Sequence, residues 1–331
     1  MDFHFLIATE RSGSNLITKM MDAHPNICGP APLHILRVIG MEIHKYGDLR
    51  QEKAWEKFVS DMLALANSEF AKWNKNFTRA ELEGMAEPGD VPTFCRKIYE
   101  AEAAASGKSI LFVKELWTHR YLSFLQWCFP EAKYIYLVRD PRDMALSWRN
   151  NEVHMGGVVA GARQWMQDQS QTLPNFSALE GAGKGHLVRY EDLVSKSELE
   201  LTKICKFLGV DYSALMLEFH KKKLTKENAK KNPLWKNLAT EVISDNFHKY
   251  RTELNDREIA IIEYSCWRVM QFFGYKAESK MPLLKSLRPK DANELHKEEV
   301  SKYPAKPQQR IHDQIQKQRR AAMKIHRAFA S

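Results

Sequence analysis

Cysteine is sparse and unpaired in this 331-residue chain: Cys28, Cys95, Cys128, Cys205 and Cys266 are scattered, odd in number, and form no C-x-x-C pair. Neither a disulfide framework nor a cysteine-based zinc site is therefore expected, and reduced thiols in a cytoplasmic setting are. No apolar run is long enough to span a bilayer. A secretory signal is not expected either, because charge and turn residues arrive by Glu10, before an adequate apolar stretch has formed. No internal repeat is evident. A strong charge of one sign is also missing from the body of the chain. The net charge is +9, yet from Lys276 onward fourteen Lys or Arg stand against six Asp or Glu. The preceding residues are thus nearly neutral, and a general nucleic-acid-binding face is not expected there.

What is present is an alternation of short strand-type runs with helical patterns. Phe3–Ala8 precedes a helix at Ser14–Ala23, and Ser109–Lys114 precedes one at Thr118–Phe129. Residues 133–139 precede a helix at Pro141–Asn150, and residues 185–190 lead into one at Lys196–Leu208. This pattern predicts an α/β fold: a parallel β-sheet flanked by helices. Residues 33–106 break the rhythm, being mostly helical with Trp55, Phe58, Phe70 and Trp73, and read as a helical insertion or cap. Residues 255–275 form an amphipathic helix capped by Asn255 and stopped by Gly274. The domain is expected to end at residue 275, followed by a basic, partly helical C-terminal extension over 276–331. In its final part Ile311, Ile315, Ala322, Ile325 and Phe329 make a narrow apolar stripe. Such a stripe suits a homodimer arm, a lid or a membrane-surface contact, and equally a plain solvated face.

The first strand delivers an unusual turn, Thr9-Glu10-Arg11-Ser12-Gly13-Ser14-Asn15. A strand, a glycine-containing turn and a helix start present unpaired backbone N–H groups at the positive end of a helix dipole. Gly13 lets an anion approach the backbone, Ser12, Ser14 and Asn15 add donors, and Arg11 supplies a forked cation suited to phosphate or sulfate. The structural alternative is a simple helix cap made by Ser12 or Ser14. This is not a Walker A loop, since no Gly-Lys-[Ser/Thr] follows, which counts against an ATP or GTP enzyme.

"YIYLVRDPRDMALSW" repeats the architecture. A buried-type strand ends at Arg139, Asp140 is a good N-cap, Pro141 suits the first helical position, and Asp143 favours the helix start. Ser147, one helical turn beyond Asp143, can face back toward the strand end. Arg139 and Ser147 could then grip a second phosphate beyond the carboxyl ends of the strands. A structural ion pair of Arg139 with Asp140 or Asp143 is the alternative.

Taken in order, "ERSGSNL", "VRDPRDMALS", "LVRYEDLVSKSELELTKICKFLGV" and "HKYRTELNDREIAIIEYSCWRVMQFFGY" resemble the motifs of sulfotransferases that use 3'-phosphoadenosine 5'-phosphosulfate (PAPS). The resemblance runs over roughly residues 3–275 and implies a P-loop-like core. It implies that Arg11, Ser12, Gly13, Ser14 and Asn15 hold the 5'-phosphosulfate, with Arg11 near the bridging oxygen. It implies Arg139 and Ser147 at the 3'-phosphate and Tyr190 at the adenine. Residues 235–249 occupy the place of a late phosphate loop whose usual R-K-G is absent, leaving Lys236 and Lys249 as weak candidates.

Sulfuryl transfer needs an acceptor, a base for its proton and a cation for the departing oxygen. Arg11 can supply the last without a metal, and no grouping with metal-ligand spacing is present. The base is open between His34, Glu115 and His119, because the family's usual glutamate position holds Pro32 and its histidine position holds Leu116 or Trp117. Lys114, from the same strand as Glu115, could steady the sulfate. His24 reads as structural. The expectation is a sulfotransferase acting on a small-molecule, carbohydrate or lipid hydroxyl, whose pocket lies in the 33–106 insertion and residues 151–180. A nucleotide-dependent kinase and a non-catalytic scaffold are the rivals.

Overall fold

Phe3, Phe5, Leu6 and Ile7 are all buried, so the first strand is covered on both faces, as its unbroken apolar run requires. In the computed structural model, which describes residues 1–68, 71–151, 154–231 and 233–302, it lies mid-sheet. The five strands are β1 (Asp2–Ala8), β2 (Ile27–Cys28), β3 (Ile110–Lys114), β4 (Lys133–Val138) and β5 (Gly185–Arg189). Their order is β2-β3-β1-β4-β5, and every neighbouring pair is parallel. This is the expected α/β class. Alternate residues feed two cores: Leu6, Phe112, Ile135 and Leu137 pack on one face with Ile17 and Met20 of the Ser14–Ala23 helix. Phe3, Phe5, Ile7, Tyr134 and Tyr136 face the other side, toward Trp165 and Phe176.

The chain leaves β1 toward β2 and leaves β4 toward β5. The two connections therefore diverge above the carboxyl ends of β1 and β4, the switch point where open parallel sheets bind ligands. Both arginine turns emerge there.

The element boundaries follow the sequence pattern closely, with informative exceptions. The expected Thr118–Phe129 helix divides into a 3-10 turn (Thr118–Tyr121) and an α-helix (Leu122–Cys128) behind a left-handed Trp117. The 25-residue Gly157–Gly181 helix and the short Tyr190–Ser195 helix were not anticipated in full. Asn255 caps the Asp256–Phe272 helix with Glu258 answering, as a capping box does.

Residues 33–106 form helices Ile35–Glu42, Glu52–Ala66, Arg79–Glu83 and Val91–Ala105 between β2 and β3. Phe58 stacks on Trp55 and meets Phe94 edge-on, each at 5.0 Å, and Trp55, Phe58 and Trp73 are buried. Trp55, Phe58 and Trp73 therefore build the insertion's own core, while Phe70 lies outside the described residues. All five cysteines are buried free thiols. In the extension, Pro289–Ser301 is a helix packed on Gly157–Gly181. The stripe from Ile311 to Phe329 lies outside the described residues. Among the described residues no helix is long and apolar enough to cross a membrane.

Candidate functional site

At the end of β1 the chain turns through a left-handed Arg11 (φ 69°) and Gly13 (φ 90°) into the Ser14–Ala23 helix. A side chain at Gly13 is excluded twice, by the backbone and because a Cβ would lie 2.4 Å from the Tyr190 ring. The alternative reading, a cap by Ser12 or Ser14, does not hold: no side chain caps this helix. The Leu16 amide turns back to the Gly13 carbonyl at 3.0 Å, and the leading amides of Ser14 and Asn15 lie ahead of it at the positive end of the dipole. Ser12 is fully buried, and its Oγ has no hydrogen-bond partner among the described residues. Ser14 is buried and Asn15 half-buried beside it.

The second turn interlocks with the first. Arg139 donates from one terminal nitrogen to the Arg11 carbonyl (3.1 Å) and from the other to the Asn246 carbonyl (3.2 Å). Arg11 Nε donates to Ser147 Oγ at 3.2 Å. The ion pair that could have used up Arg139 does not form. Asp140 caps its helix through the Arg142 amide and takes the Arg142 guanidinium at 2.9 and 2.7 Å, and Arg142 also reaches Glu263 at 2.6 Å. Asp143 accepts from the amides of His248 (2.5 Å) and Tyr250 (3.1 Å). Arg139 thus carries no carboxylate ion pair among the described residues, and its Nε is buried without a partner. Burial and the adjacent Arg139 charge pull Arg11 down to about 10. Two cations packed together, neither in an ion pair with a carboxylate among the described residues, make a site that an anion would relieve.

Tyr190 is almost wholly buried. Its ring lies 4.4 Å under the Arg139 guanidinium and walls Gly13, and its hydroxyl accepts from Asn246 Nδ2 at 2.7 Å. Asn246 was missed by sequence reasoning, which sought lysines in this loop. Lys249 is exposed, and the Lys236 side chain lies outside what is described. The only sequence signal for Asn246 was its place in the late loop.

Two of the three base candidates meet. His34, in a left-handed conformation (φ 65°) at the start of Ile35–Glu42, places Nδ1 3.3 Å from Glu115 Oε2. Glu115 also accepts from the Tyr99 hydroxyl at 3.0 Å. Burial raises the Glu115 carboxyl to about 7, against the opposing pull of Tyr99, Arg37 and Lys114. Lys114, the last residue of β3, is buried opposite Leu6 of β1. His119 is held apart, 3.6 Å from Asp168, and burial followed by the charge of Arg120 lowers it to about 4. Trp117 stands two residues beyond Glu115, with the guanidiniums of Arg37 and Arg120 each 4.7 Å from its ring. His24 is structural, bridging Asp211 O and the Asn26 amide.

Known proteins share this arrangement of chain. A protein-tyrosine sulfotransferase of Drosophila melanogaster is 28% identical over 236 residues, covering 69% of this chain and 42% of its own length. Protein-tyrosine sulfotransferase A of Caenorhabditis elegans is 26% identical, covering 65% of this chain and 52% of its own. The chain thus spans about half the length of these relatives. In fold it is similar to the sulfotransferase domain from the Synechococcus PCC 7002 olefin synthase, with a TM-score of 0.58 at 22% identity over 83% of this chain and 95% of that one. Residues 4–214, which include most of β1, all of β2 to β5 and both arginine turns, match the profile of the sulfotransferase family, and the chain belongs to that family.

Proposed function

We propose that the chain transfers a sulfuryl group from PAPS to an acceptor hydroxyl. The observation that carries this reading is the interlock of the two turns, Arg139 on the Arg11 carbonyl and Arg11 on Ser147. It sets two cations, neither in a carboxylate ion pair among the described residues, side by side at the sheet's switch point, which suits a ligand with two separated anionic groups. The unpartnered Ser12 Oγ, the uncapped helix start and the space kept by Gly13 fit the 5'-phosphosulfate, with Ser14 and Asn15 flanking it. Arg139 and Ser147 fit the 3'-phosphate, and Tyr190 braces Arg139.

When bound, PAPS supplies a sulfuryl group on a phosphate leaving group. Arg11 then offsets the charge gathering on the departing oxygen. His34 takes the acceptor proton, and Glu115 at its Nδ1 stabilises the imidazolium that results. Lys114, at the end of the neighbouring strand, steadies the sulfate. The acceptor belongs among small-molecule, carbohydrate or lipid hydroxyls, to which the names of the relatives add a peptide tyrosine. A cytoplasmic location and a dimer or membrane contact through the basic tail complete the proposal.

Calorimetry with 3'-phosphoadenosine 5'-phosphate (PAP), beside ATP with magnesium, tests it. Binding of PAP in preference to ATP, followed by transfer of label from PAPS in an acceptor screen, is expected. Preference for ATP would overturn it.

A further inference from the structure

The Gly157–Gly181 helix braces both cradle turns. Trp165 Nε1 donates to the Arg139 carbonyl at 2.9 Å, and Gln169 Nε2 donates to Thr9 Oγ1 at 2.8 Å. Tyr136 holds Gln169 from the sheet side. A helix with this task needs a fixed N-terminus, yet its own N-cap, Gly156, has no side chain to offer. The cap comes from the C-terminal extension. Glu299 accepts from the Val158 amide at 2.8 Å and the Val159 amide at 3.3 Å, across a sequence separation of about 140 residues. His296 Nδ1 sits 3.0 Å from the Gly156 carbonyl.

The socket is cut for these two side chains. Gly156 and Gly157 both have positive φ, 90° and 66°. A Cβ on Gly157 would lie 2.1 Å from the Glu299 carboxyl carbon, and one on Gly156 would lie 2.8 Å from His296 Cε1. Arg163 of the brace helix reaches Asn293 (2.6 Å), and Arg257 of the Asp256–Phe272 helix reaches Glu298 (3.2 Å), so both helices hold the Pro289–Ser301 helix in place. Residues 289–301 lie beyond the 4–214 span that matches the family profile.

We propose that Glu299 is a positioning residue of the nucleotide site. By capping the brace helix it holds Trp165 and Gln169 against the two cradle turns, so the Pro289–Ser301 helix is a working part of the site. The inference rests on the PAPS reading above only for its ligand. The carboxylate acts as acceptor for two amides in its ionised form, and burial raises its pKa. The charged groups facing it are Glu258, which raises it further, and Arg149, which opposes, with His296 beside the same socket. Lowering the pH through the Glu299 titration therefore loosens the cap.

The test uses the full chain as wild type, Glu299→Gln and Glu299→Ala. PAP affinity is measured by calorimetry from pH 5 to pH 8, alongside deuterium exchange of peptides covering residues 9–15 and 139–147 without nucleotide. Glu299→Ala is expected to bind PAP about tenfold more weakly at pH 8 and to exchange faster at both turns. Glu299→Gln, which keeps one acceptor but cannot titrate, should restore part of the affinity. The ratio of wild-type to Gln affinity should fall toward one as the pH drops; the titration of PAP itself is common to both proteins and cancels. Wild-type affinity and unchanged exchange at both turns in Glu299→Ala, even with a lowered melting temperature, would overturn the proposal. If wild type failed to bind PAP, the ligand reading would fall, and the exchange comparison alone would still decide whether Glu299 positions the turns.

Discussion

Replacing Gly13 by alanine should damage the site through a coupling that can be measured. Two costs arise. At φ 90° an L-residue sits in the left-handed region, which costs roughly 1–2 kcal/mol. The new Cβ would also stand 2.4 Å from two carbons of the Tyr190 ring, where ordinary contact begins near 3.4 Å, so the ring must move by about 1 Å. Overpacking of this kind costs typically about 1–3 kcal/mol. The ring has little freedom to yield, being held by Arg139 above it and by Asn246 at its hydroxyl. Any movement would pass directly to Arg139. Gly13→Ala is therefore expected to destabilise the protein by roughly 2–5 kcal/mol and to weaken PAP binding at least tenfold.

A double-mutant cycle with Tyr190→Ala separates the two costs. Removing the ring removes the clash and leaves only the backbone term, so Gly13→Ala should cost about 1–2 kcal/mol in that background. Urea denaturation of the four proteins gives the coupling directly. Equal costs of Gly13→Ala in both backgrounds would refute the packing argument. Wild-type PAP affinity in Gly13→Ala would refute the role of the turn.

Arg139→Ala should weaken PAP binding by about tenfold or more, since hydrogen bonds to charged groups contribute roughly 1.5–3 kcal/mol; unchanged affinity by calorimetry would remove Arg139 from the nucleotide site. His34→Ala should cut turnover by about a hundredfold or more while leaving PAP affinity close to wild type, and normal turnover would pass the base role to Glu115. Glu115 gives opposite signatures in stability and activity. Its carboxyl rises from an ordinary 4.5 to about 7 on folding, so its stabilising contribution is full below pH 4.5 and is lost as the pH climbs to about 7. Turnover that needs ionised Glu115 should rise over the upper part of that window. Glu115→Gln should flatten both profiles in melting and rate measurements, and an unaltered pH–rate profile would remove the carboxylate from the mechanism.

The parts of this site that were legible in the sequence are those set by chain neighbours. A buried strand, a turn residue and a helix start are coded within about ten positions, which is why the Ser14–Ala23 helix and the Asp140 cap stand where the pattern put them. What the sequence withheld was the partnership of distant groups. His34 and Glu115 read as competing bases because nothing in their spacing shows that a left-handed residue at the cap's entrance turns one toward the other. Asn246 and Glu299 carried no motif at all, since each acts by reaching a backbone or hydroxyl group far along the chain.

The two arginines of "VRDPRD" show the limit most sharply. Chemically they are interchangeable partners for Asp140, and the sequence left a pair of Arg139 with Asp140 or Asp143 open. The helix geometry decides against it. Pro141 starts the helix immediately after Asp140, which carries Arg142 into the first turn, where its amide and guanidinium both meet the capping carboxylate. Glu263 then takes the remaining charge of Arg142 from the side of the Asp256–Phe272 helix. With Asp140 satisfied by Arg142 and Asp143 hydrogen-bonded to the late loop, Arg139 is left pointing at the first turn without a carboxylate ion pair among the described residues. The anion site therefore depends on Arg142 as much as on Arg139. One arginine neutralises the acids, and the other stays available because of it.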